Sequence, residues 1–258
     1  MKWIIEEFWN INNNSLRIES ALRRLNIDYL IVNLSSGIRV IDKKSRVPLD
    51  NSDEIIEKFC KDEEVIVYGS KKMEDLVYRL RIYPGMYKND SFEYDYFVER
   101  LGNKMLNHDL KIGTIDELEI TAETFIRPVD NSKLFTGQVV DEDSFGRLKV
   151  AHKGAKDPIM ISSIKDILKE YRVFVVNGKV TAGSSYVING KYNIERHLNE
   201  EVIDFVESIH KEFPISKAYV IDIAETNIGY KVIEYNNINT SGLYGGDELK
   251  IVQAIQSL

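Results

Sequence analysis

The stretch that decides the fold is a pair of alternating segments joined by a short turn. It runs Val220-Ile221-Asp222-Ile223-Ala224, then Glu225-Thr226-Asn227-Ile228-Gly229, and after Tyr230 it continues as Lys231-Val232-Ile233-Glu234-Tyr235-Asn236. Apolar side chains recur at every second position, which predicts a hairpin of two half-buried strands. We expect its apolar face to consist of Tyr219, Ile221, Ile223, Ile233 and Tyr235.

The opposite face of this hairpin carries oxygen-bearing side chains. Glu234 and Asn236 are two residues apart and share a face in any register, whereas Asp222 joins them only if even-numbered residues pair with even-numbered ones. Two carboxylates and an amide suit Mg²⁺, which takes one or two carboxylates and completes its shell with phosphates and water. The spacing equally allows a solvated outer face, so the metal site is one of two interpretations.

Composition limits the classes of protein to which the chain can belong. Its 258 residues are 43% hydrophobic, enough for a real core, and its formal net charge is −7. This acidic balance gives no support for binding a nucleic-acid backbone, which needs clustered Lys and Arg. The single cysteine, Cys60, forms no internal disulfide. An acidic N-terminus and the lack of a long apolar window predict a cytoplasmic protein without a membrane partner.

Two parts of the chain differ in their pattern of elements. Strand-like and helix-like segments alternate at first, which predicts an α/β layer with a mainly parallel sheet. Gly69-Ser70-Lys71-Lys72 lacks phosphate-loop spacing and predicts an ordinary turn. A predicted helix over 94–106 precedes strands joined by tight turns, of which Asn177-Gly178 is the clearest. We therefore expect an N-terminal α/β domain over 1–90 and an α+β domain over 91–258.

Basic side chains of the second part could bind an anion. Arg127 lies on a predicted strand that ends at Pro128, and Lys133 follows in the next turn, so the two could grip a polyphosphate from two sides. The segment 236–246 is polar and glycine-rich, and it leads into a predicted helix N-terminus that favours an anionic group. Two exposed surface cations and a flexible loop are the alternative interpretations.

A further arginine lies on a strand beside an acidic residue. Arg172 and Glu170 share one face of the segment that precedes Asn177-Gly178. With a two-residue turn there, Arg172 would lie opposite Gly183, whose missing side chain leaves room for a ligand, although a strand glycine can also mark a bulge. A surface pair between Arg172 and Glu170 is the alternative.

Taken in chain order, these motifs resemble the ATP-grasp superfamily over about residues 95–258. Ile126-Arg127-Pro128 resembles the family strand that ends in Lys-Pro, with an arginine in place of the lysine. Asp222 and Glu234-Tyr235-Asn236 resemble the family's magnesium ligands. Arg127-Pro128 together with 133–137 and 170–174 resembles in particular a divergent clade. That clade includes an assembly factor for a eukaryotic translation initiation complex and many bacterial and viral members.

The resemblance implies a pre-ATP-grasp α/β domain and then a fold that holds ATP between two α+β subdomains, about 114–163 and about 164–258. It implies Mg²⁺ bound by Asp222, Glu234 and Asn236. The nucleotide- and substrate-binding residues it implies are Lys104, Arg127, Lys133, Ser162, Ser163, Ile164, Arg172, Asn239, Ser241 and Gly242. Arg172 and Lys133 are the candidate catalytic residues among them.

The implied activity is that of a carboxylate–amine ligase, with peptide or protein modification as the clade's usual assignment. ATP would phosphorylate a carboxylate, and an amine would attack the acyl phosphate. None of the four histidines lies in a nucleophile motif, which agrees with a reaction driven by positioning and charge neutralisation. A non-catalytic ATP-binding assembly factor for a protein partner and a small-molecule kinase are the alternatives, and the sequence does not identify the donor or acceptor.

Overall fold

Three β-sheets organise the chain, each built from a different part of the sequence. The structure is a computed structural model, and it describes residues 1–7, 13–89, 93–129 and 134–258. The sheets have five, four and five strands. This mixed α/β arrangement confirms the fold class expected from the sequence.

The first sheet is mainly parallel, as predicted. Its strands are β1 (Lys2–Glu6), β2 (Tyr29–Asn33), β3 (Arg39–Ile41), β4 (Val65–Tyr68) and β5 (Pro84–Gly85), with helices α1 (Asn14–Arg24), α2 (Ser52–Cys60) and α3 (Met73–Leu80). The strand order is β3-β2-β1-β4-β5, and β3 is the antiparallel member. Trp3 and Ile5 face α1, whereas Ile4 faces α2 and α3, so both faces of the sheet are covered.

The second sheet is small and antiparallel, with the order β6-β9-β7-β8. It contains β6 (Lys111–Gly113), β7 (Thr124–Pro128), β8 (Gln138–Val140) and β9 (Ile159–Ser162), and helix α5 (Glu142–Ala151) packs on it. A capping box between Asp141 and Ser144 starts α5. Ile126, Phe145 and Ile159 meet in its core, which fixes the strand that carries Arg127.

The third sheet has the antiparallel order β12-β11-β10-β13-β14. Its elements are β10 (Ile167–Val176), β11 (Lys179–Ile188), β12 (Lys191–Glu195), β13 (Ala218–Thr226) and β14 (Gly229–Asn237), with α4 (Tyr94–Leu101), α6 (Glu200–Glu212) and α7 (Glu248–Gln256) around it. Val173 and Ile221 lie with α4 and α6 on one face. On the other, Phe174 and Val220 pack with α1 and α7, and this face also carries the charged side chains of Arg172 and Asp222.

Turn chemistry agrees with the sequence at both Asn-Gly pairs. Asn177 and Gly178 have φ of 49° and 75°, and Asn189 and Gly190 have 49° and 72°. These left-handed conformations are those of the two-residue turns that connect β10, β11 and β12. A glycine also ends the helix predicted over 94–106: Gly102 has φ of 52°, and α4 stops at Leu101.

Two bulges correct the strand registers that strict alternation predicted. A shift between Phe174 and Val175 places Ser184, not Gly183, opposite Arg172. A Cβ on Gly183 would lie 2.6 Å from Leu198 Cδ1 and 2.8 Å from the Arg172 carbonyl oxygen, so the glycine makes room for protein rather than for a ligand. A second shift, between Asp222 and Ile223, gives the buried apolar position to Val232 in place of Ile233.

Candidate active site

Arg172 and Asp222 form the buried centre of the charged face of the third sheet. They lie opposite each other on β10 and β13. Arg172 donates from Nε to Asp222 Oδ1 at 2.9 Å and from Nη2 to Oδ2 at 2.7 Å, a two-point ion pair. Burial alone would lower the pKa of Arg172, but Asp222 raises it above its ordinary value, so the guanidinium stays charged. Burial raises the pKa of Asp222, and Arg172 opposes that rise.

Three oxygen-bearing side chains share this face, as the even-with-even register requires. Asp222 pairs with Glu234 and Val220 with Asn236 in the β13–β14 ladder. Asn236 Nδ2 donates to Glu234 Oε1 at 3.2 Å, so the amide oxygen is the atom that Asn236 could offer to a cation. Among the described residues, no three His, Cys, Asp or Glu side chains are grouped so that they could hold a metal ion. A hard cation at this face would have two carboxylates and one amide oxygen as ligands, a set that suits Mg²⁺ when phosphates complete its shell.

Arg127 reaches the same face from the second sheet. Its Nη1 donates to Glu234 Oε2 at 3.2 Å, and its guanidinium lies 5.6 Å from the ring centroid of Tyr94. Burial raises the pKa of Tyr94 to about 12, so that ring stays neutral. The Arg127–Glu234 contact thus bridges two sheets. Lys133, its expected partner in gripping a polyphosphate, lies outside the described residues.

Two tyrosines that sequence reasoning missed border Arg172. The Arg172 guanidinium carbon lies 4.6 Å from the ring centroid of Tyr244 and 5.9 Å from that of Tyr186. The two rings are 4.8 Å apart. Tyr186 hydroxyl donates to Glu170 at 2.7 Å, which ties the acidic neighbour of Arg172 to the same cluster. The register predicted from the sequence, with Gly183 opposite Arg172, would have put Tyr186 on the other face, and Tyr244 offered no signal.

The loop after β14 joins the first and third sheets more than it faces the site. Asn239 is 1% exposed; its Oδ1 accepts from the Tyr87 N–H at 2.8 Å and its Nδ2 donates to the Val67 carbonyl at 2.8 Å. Ser241 accepts from the buried Tyr68 hydroxyl at 2.8 Å through its carbonyl. Of the three residues implied here, Gly242 is the one against Arg172, with its carbonyl 3.5 Å from Nη1.

Arg17 of α1 holds the loop that presents Tyr244. It donates from Nη1 to the Tyr244 carbonyl and from Nη2 to the Gly246 carbonyl, both at 2.5 Å, and it pairs with Glu248 at 2.8 Å. The Tyr244 backbone is left-handed, with φ of 46°, a conformation that a bulky residue keeps only when its surroundings impose it. Helix α1, which packs on the first sheet, therefore contributes directly to the geometry around Arg172.

Other residues implied by the resemblance lie outside this charged face. Lys104 pairs with Glu212 of α6, the helix that covers the opposite face of the sheet. Ser163 Oγ donates to Asp109 at 2.6 Å and Ser162 Oγ to Asn107 at 3.1 Å, which anchors the connection from the second sheet to the third. Their roles toward a nucleotide stay predictions.

Ile164, the third residue of that connection, borders a cleft of its own. The cleft measures about 260 Å³. Its wall includes Leu106, Ile228 and Lys231 from neighbouring segments. An apolar wall with a cation beside the inter-sheet connection is compatible with the adenine contact expected there, which also stays a prediction.

Comparison with known proteins places this geometry in a family. A family model described as "ATP-grasp domain, R2K clade family 3" matches residues 69–256. No curated protein matches the chain by sequence.

Solved structures share the whole fold at low sequence identity. A RimK domain ATP-grasp protein from Sphaerobacter thermophilus is similar with a TM-score of 0.63 and 9% identity, covering 98% of this chain and 99% of its own. D-alanine–D-alanine ligase from Bacillus anthracis, solved with ATP, gives 0.60 and 11%, covering 100% and 98%. The ATP-grasp ligase PsnB, complexed with a minimal precursor, gives 0.55 and 12%, covering 99% and 98%. At these identities the likeness shows the fold.

Proposed function

The chain belongs to the ATP-grasp proteins of the R2K clade, family 3, and on that premise we propose that it is an ATP- and Mg²⁺-dependent carboxylate–amine ligase. The observation that supports this proposal most is that two arginines and two carboxylates meet on one face of the third sheet. Arg127 comes from the second sheet and Arg172 from the third, and their carboxylate partners are Glu234 and Asp222.

In the proposed reaction, the γ-phosphoryl group of ATP moves to an oxygen of the substrate carboxylate, giving an acyl phosphate and ADP. The amine nitrogen then attacks the acyl carbon. The C–N bond forms as the bond from that carbon to the phosphate oxygen breaks, phosphate leaves, and the nitrogen loses a proton. Such chemistry asks for positioning and charge stabilisation rather than for a protein nucleophile.

The roles of the described residues follow from their contacts. Arg127 would exchange Glu234 for a phosphate when ATP binds, because its contact to Glu234 is a single hydrogen bond between partly exposed side chains. Arg172 would stabilise the transferring phosphoryl group or the acyl phosphate. Asp222, Glu234 and Asn236 would hold Mg²⁺, which supplies charge neutralisation at the β- and γ-phosphates when bound.

The test is ADP release with pooled carboxylates, amino acids and peptides, comparing the wild type with Glu234→Gln. We expect Mg²⁺-dependent release that the variant loses, while Glu57→Gln, a change at an exposed residue of α2, keeps it. Tight ATP binding without release for any acceptor would instead favour an ATP-gated binding protein. A stable labelled product from γ-labelled ATP, without ligation, would favour a kinase. A cytoplasmic location and a peptide or protein substrate stay predictions.

A further inference from the structure

The charged side chains of the third sheet follow a fixed order from the β14 edge toward its centre. Glu234 lies on the edge strand β14, Asp222 on β13 and Arg172 on the central β10. Arg127 reaches the β14 end from the second sheet. If phosphates bind there, a substrate group beyond Arg172 lies over β11 and β12, on the opposite side of the transferred phosphoryl group.

Three tyrosine rings cover that opposite side, and we name them the tyrosine wall: Tyr186 of β11, Tyr192 of β12 and Tyr244 of the loop after β14. The Tyr192 and Tyr244 ring centroids are 6.3 Å apart, and those of Tyr186 and Tyr244 are 4.8 Å apart. Tyr192 is 63% exposed, so ring surface of the wall is open to solvent beside the site. Aromatic faces attract cations through the ring quadrupole, and Arg172 already uses Tyr244 in this way.

A carboxylate lies at the foot of the wall. Glu170 accepts the Tyr186 hydroxyl proton in a 2.7 Å hydrogen bond, and burial with the nearby carboxylates raises the pKa of Tyr186, so this phenol stays neutral. Glu170 forms no ion pair with the described residues.

The summed charge of the site also favours a cation. Its described charged side chains are two guanidiniums, of Arg127 and Arg172, against three carboxylates, of Glu170, Asp222 and Glu234. Bound nucleotide would add further net negative charge, because its phosphates carry more charge than one Mg²⁺ neutralises. An additional cation near Glu170 is therefore electrostatically favoured despite the closeness of Arg172.

We propose that the tyrosine wall and Glu170 form the acceptor subsite, and that the acceptor is a primary alkylamine bound as its ammonium ion, as at the end of a lysine side chain. The wall would hold the alkyl chain and the cation, and Glu170 would favour the charged amine and then accept one proton from the ammonium, so that the nitrogen that attacks the acyl carbon is neutral. The inference rests on the proposed function, because it takes the acceptor amine to be the second substrate of a carboxylate–amine ligase.

The test is a pair of ligand titrations by NMR at neutral pH, with ADP and Mg²⁺ present. Pentylamine and pentan-1-ol have the same chain length and differ in charge. We expect pentylamine to bind about tenfold more tightly, within the range of a cation–π contact joined to a carboxylate. Equal affinity of the two ligands would overturn the proposal.

Variants locate the binding. Glu170→Gln should weaken pentylamine binding about tenfold and leave pentan-1-ol unaffected, and Tyr192→Ala should weaken both ligands because it removes ring surface. Tyr192 is exposed, so its variant tests the wall even if Glu170→Gln disturbs folding. Tyr78→Ala, a change at an 88% exposed tyrosine of α3, is the matched control. Unchanged pentylamine affinity in both test variants would refute the subsite.

ADP affinity, measured on the same samples, separates this inference from the proposed function. If the wild type does not bind ADP, the proposed ligase function is contradicted. If it binds ADP but binds pentylamine and pentan-1-ol equally well, only the assignment of the acceptor subsite is contradicted.

Discussion

The two arginine–carboxylate pairs of the site differ in burial and in what they connect. Arg172 and Asp222 lie on neighbouring strands of one sheet, with side chains 13% and 3% exposed and two hydrogen bonds between them. Arg127 and Glu234 lie on different sheets, with side chains 23% and 32% exposed and one hydrogen bond at 3.2 Å.

One part of the site is therefore held rigidly, while another part can exchange its partner for a ligand. A buried two-point pair within one sheet is difficult to separate, since either charge left alone would be strongly destabilised. A partly exposed single contact between sheets contributes little stability and can exchange its partner. On the proposed function, Arg172 would therefore keep a fixed position and Arg127 would exchange Glu234 for a ligand.

The largest expected effect comes from breaking the buried pair. Arg172→Met should lower turnover by about 10³-fold, by analogy with arginines that stabilise transferring phosphoryl groups. It should also lower the free energy of unfolding by about 3–5 kcal/mol, because Asp222 is left buried without a partner. Turnover and urea unfolding of the same preparation check both values.

The double variant Arg172→Met/Asp222→Leu tests the cause of the lost stability. Replacing both charges by apolar groups should restore most of the stability, while turnover stays low because a proposed Mg²⁺ ligand is also lost. Recovery of turnover in the double variant would contradict the proposed chemical roles of both residues.

Arg127→Met should show the opposite balance. The free energy of unfolding should change by no more than about 1 kcal/mol, because the pair is partly exposed and joined by one hydrogen bond. Turnover should fall by about 10²-fold as phosphate neutralisation is lost. Arg39→Met, a change at an exposed arginine of β3, is the control for losing one positive charge. An unaltered KM for ATP and unaltered turnover would contradict ligand exchange at Arg127.

Asn239→Ala tests whether Asn239, in the loop after β14, stabilises the packing of the first and third sheets or binds the nucleotide. Removing the amide leaves the Tyr87 N–H and the Val67 carbonyl without their partner, which should lower the free energy of unfolding by about 1–3 kcal/mol. We expect a lower melting temperature and an unchanged KM for ATP. A raised KM for ATP at unchanged stability would support a role for Asn239 in binding the nucleotide.

The smallest effect is expected at Lys104. Its pair with Glu212 is well exposed, so Lys104→Met should change the free energy of unfolding by less than about 1 kcal/mol. Because Lys104 is engaged on the side of the sheet covered by α6, we expect an unchanged KM for ATP. A large rise in that KM would support the nucleotide contact that the family resemblance implies.

Much of the site was predictable because its signals are local. Alternation along β13 and β14 placed Asp222, Glu234 and Asn236 on strands, and the register then brought them onto one face. The prediction of the two Asn-Gly turns was confirmed, because asparagine and glycine adopt left-handed backbone conformations more readily than other residues. The end of α4 was missed, although Gly102 carried the signal for it.

The remaining features could not be predicted from spacing. Strict period two put Gly183 opposite Arg172 and Ile233 in the core, and a one-residue bulge reversed each assignment. Gly183 allowed a bulge as an alternative, but the position of the shift depends on how neighbouring strands and the side chain of Leu198 pack.

The strands, the turns and the charged side chains of the candidate site follow from the sequence, because periodicity and backbone preference act over a few residues. The contacts between those side chains follow only from the tertiary structure. It paired Arg172 with Asp222 and brought Arg127 to Glu234 across two sheets. It also bonded Asn239, in the loop after β14, to Val67 of the first sheet, and it placed Tyr186 and Tyr244 against Arg172. These contacts join residues far apart in the chain, so they depend on the packing of whole sheets.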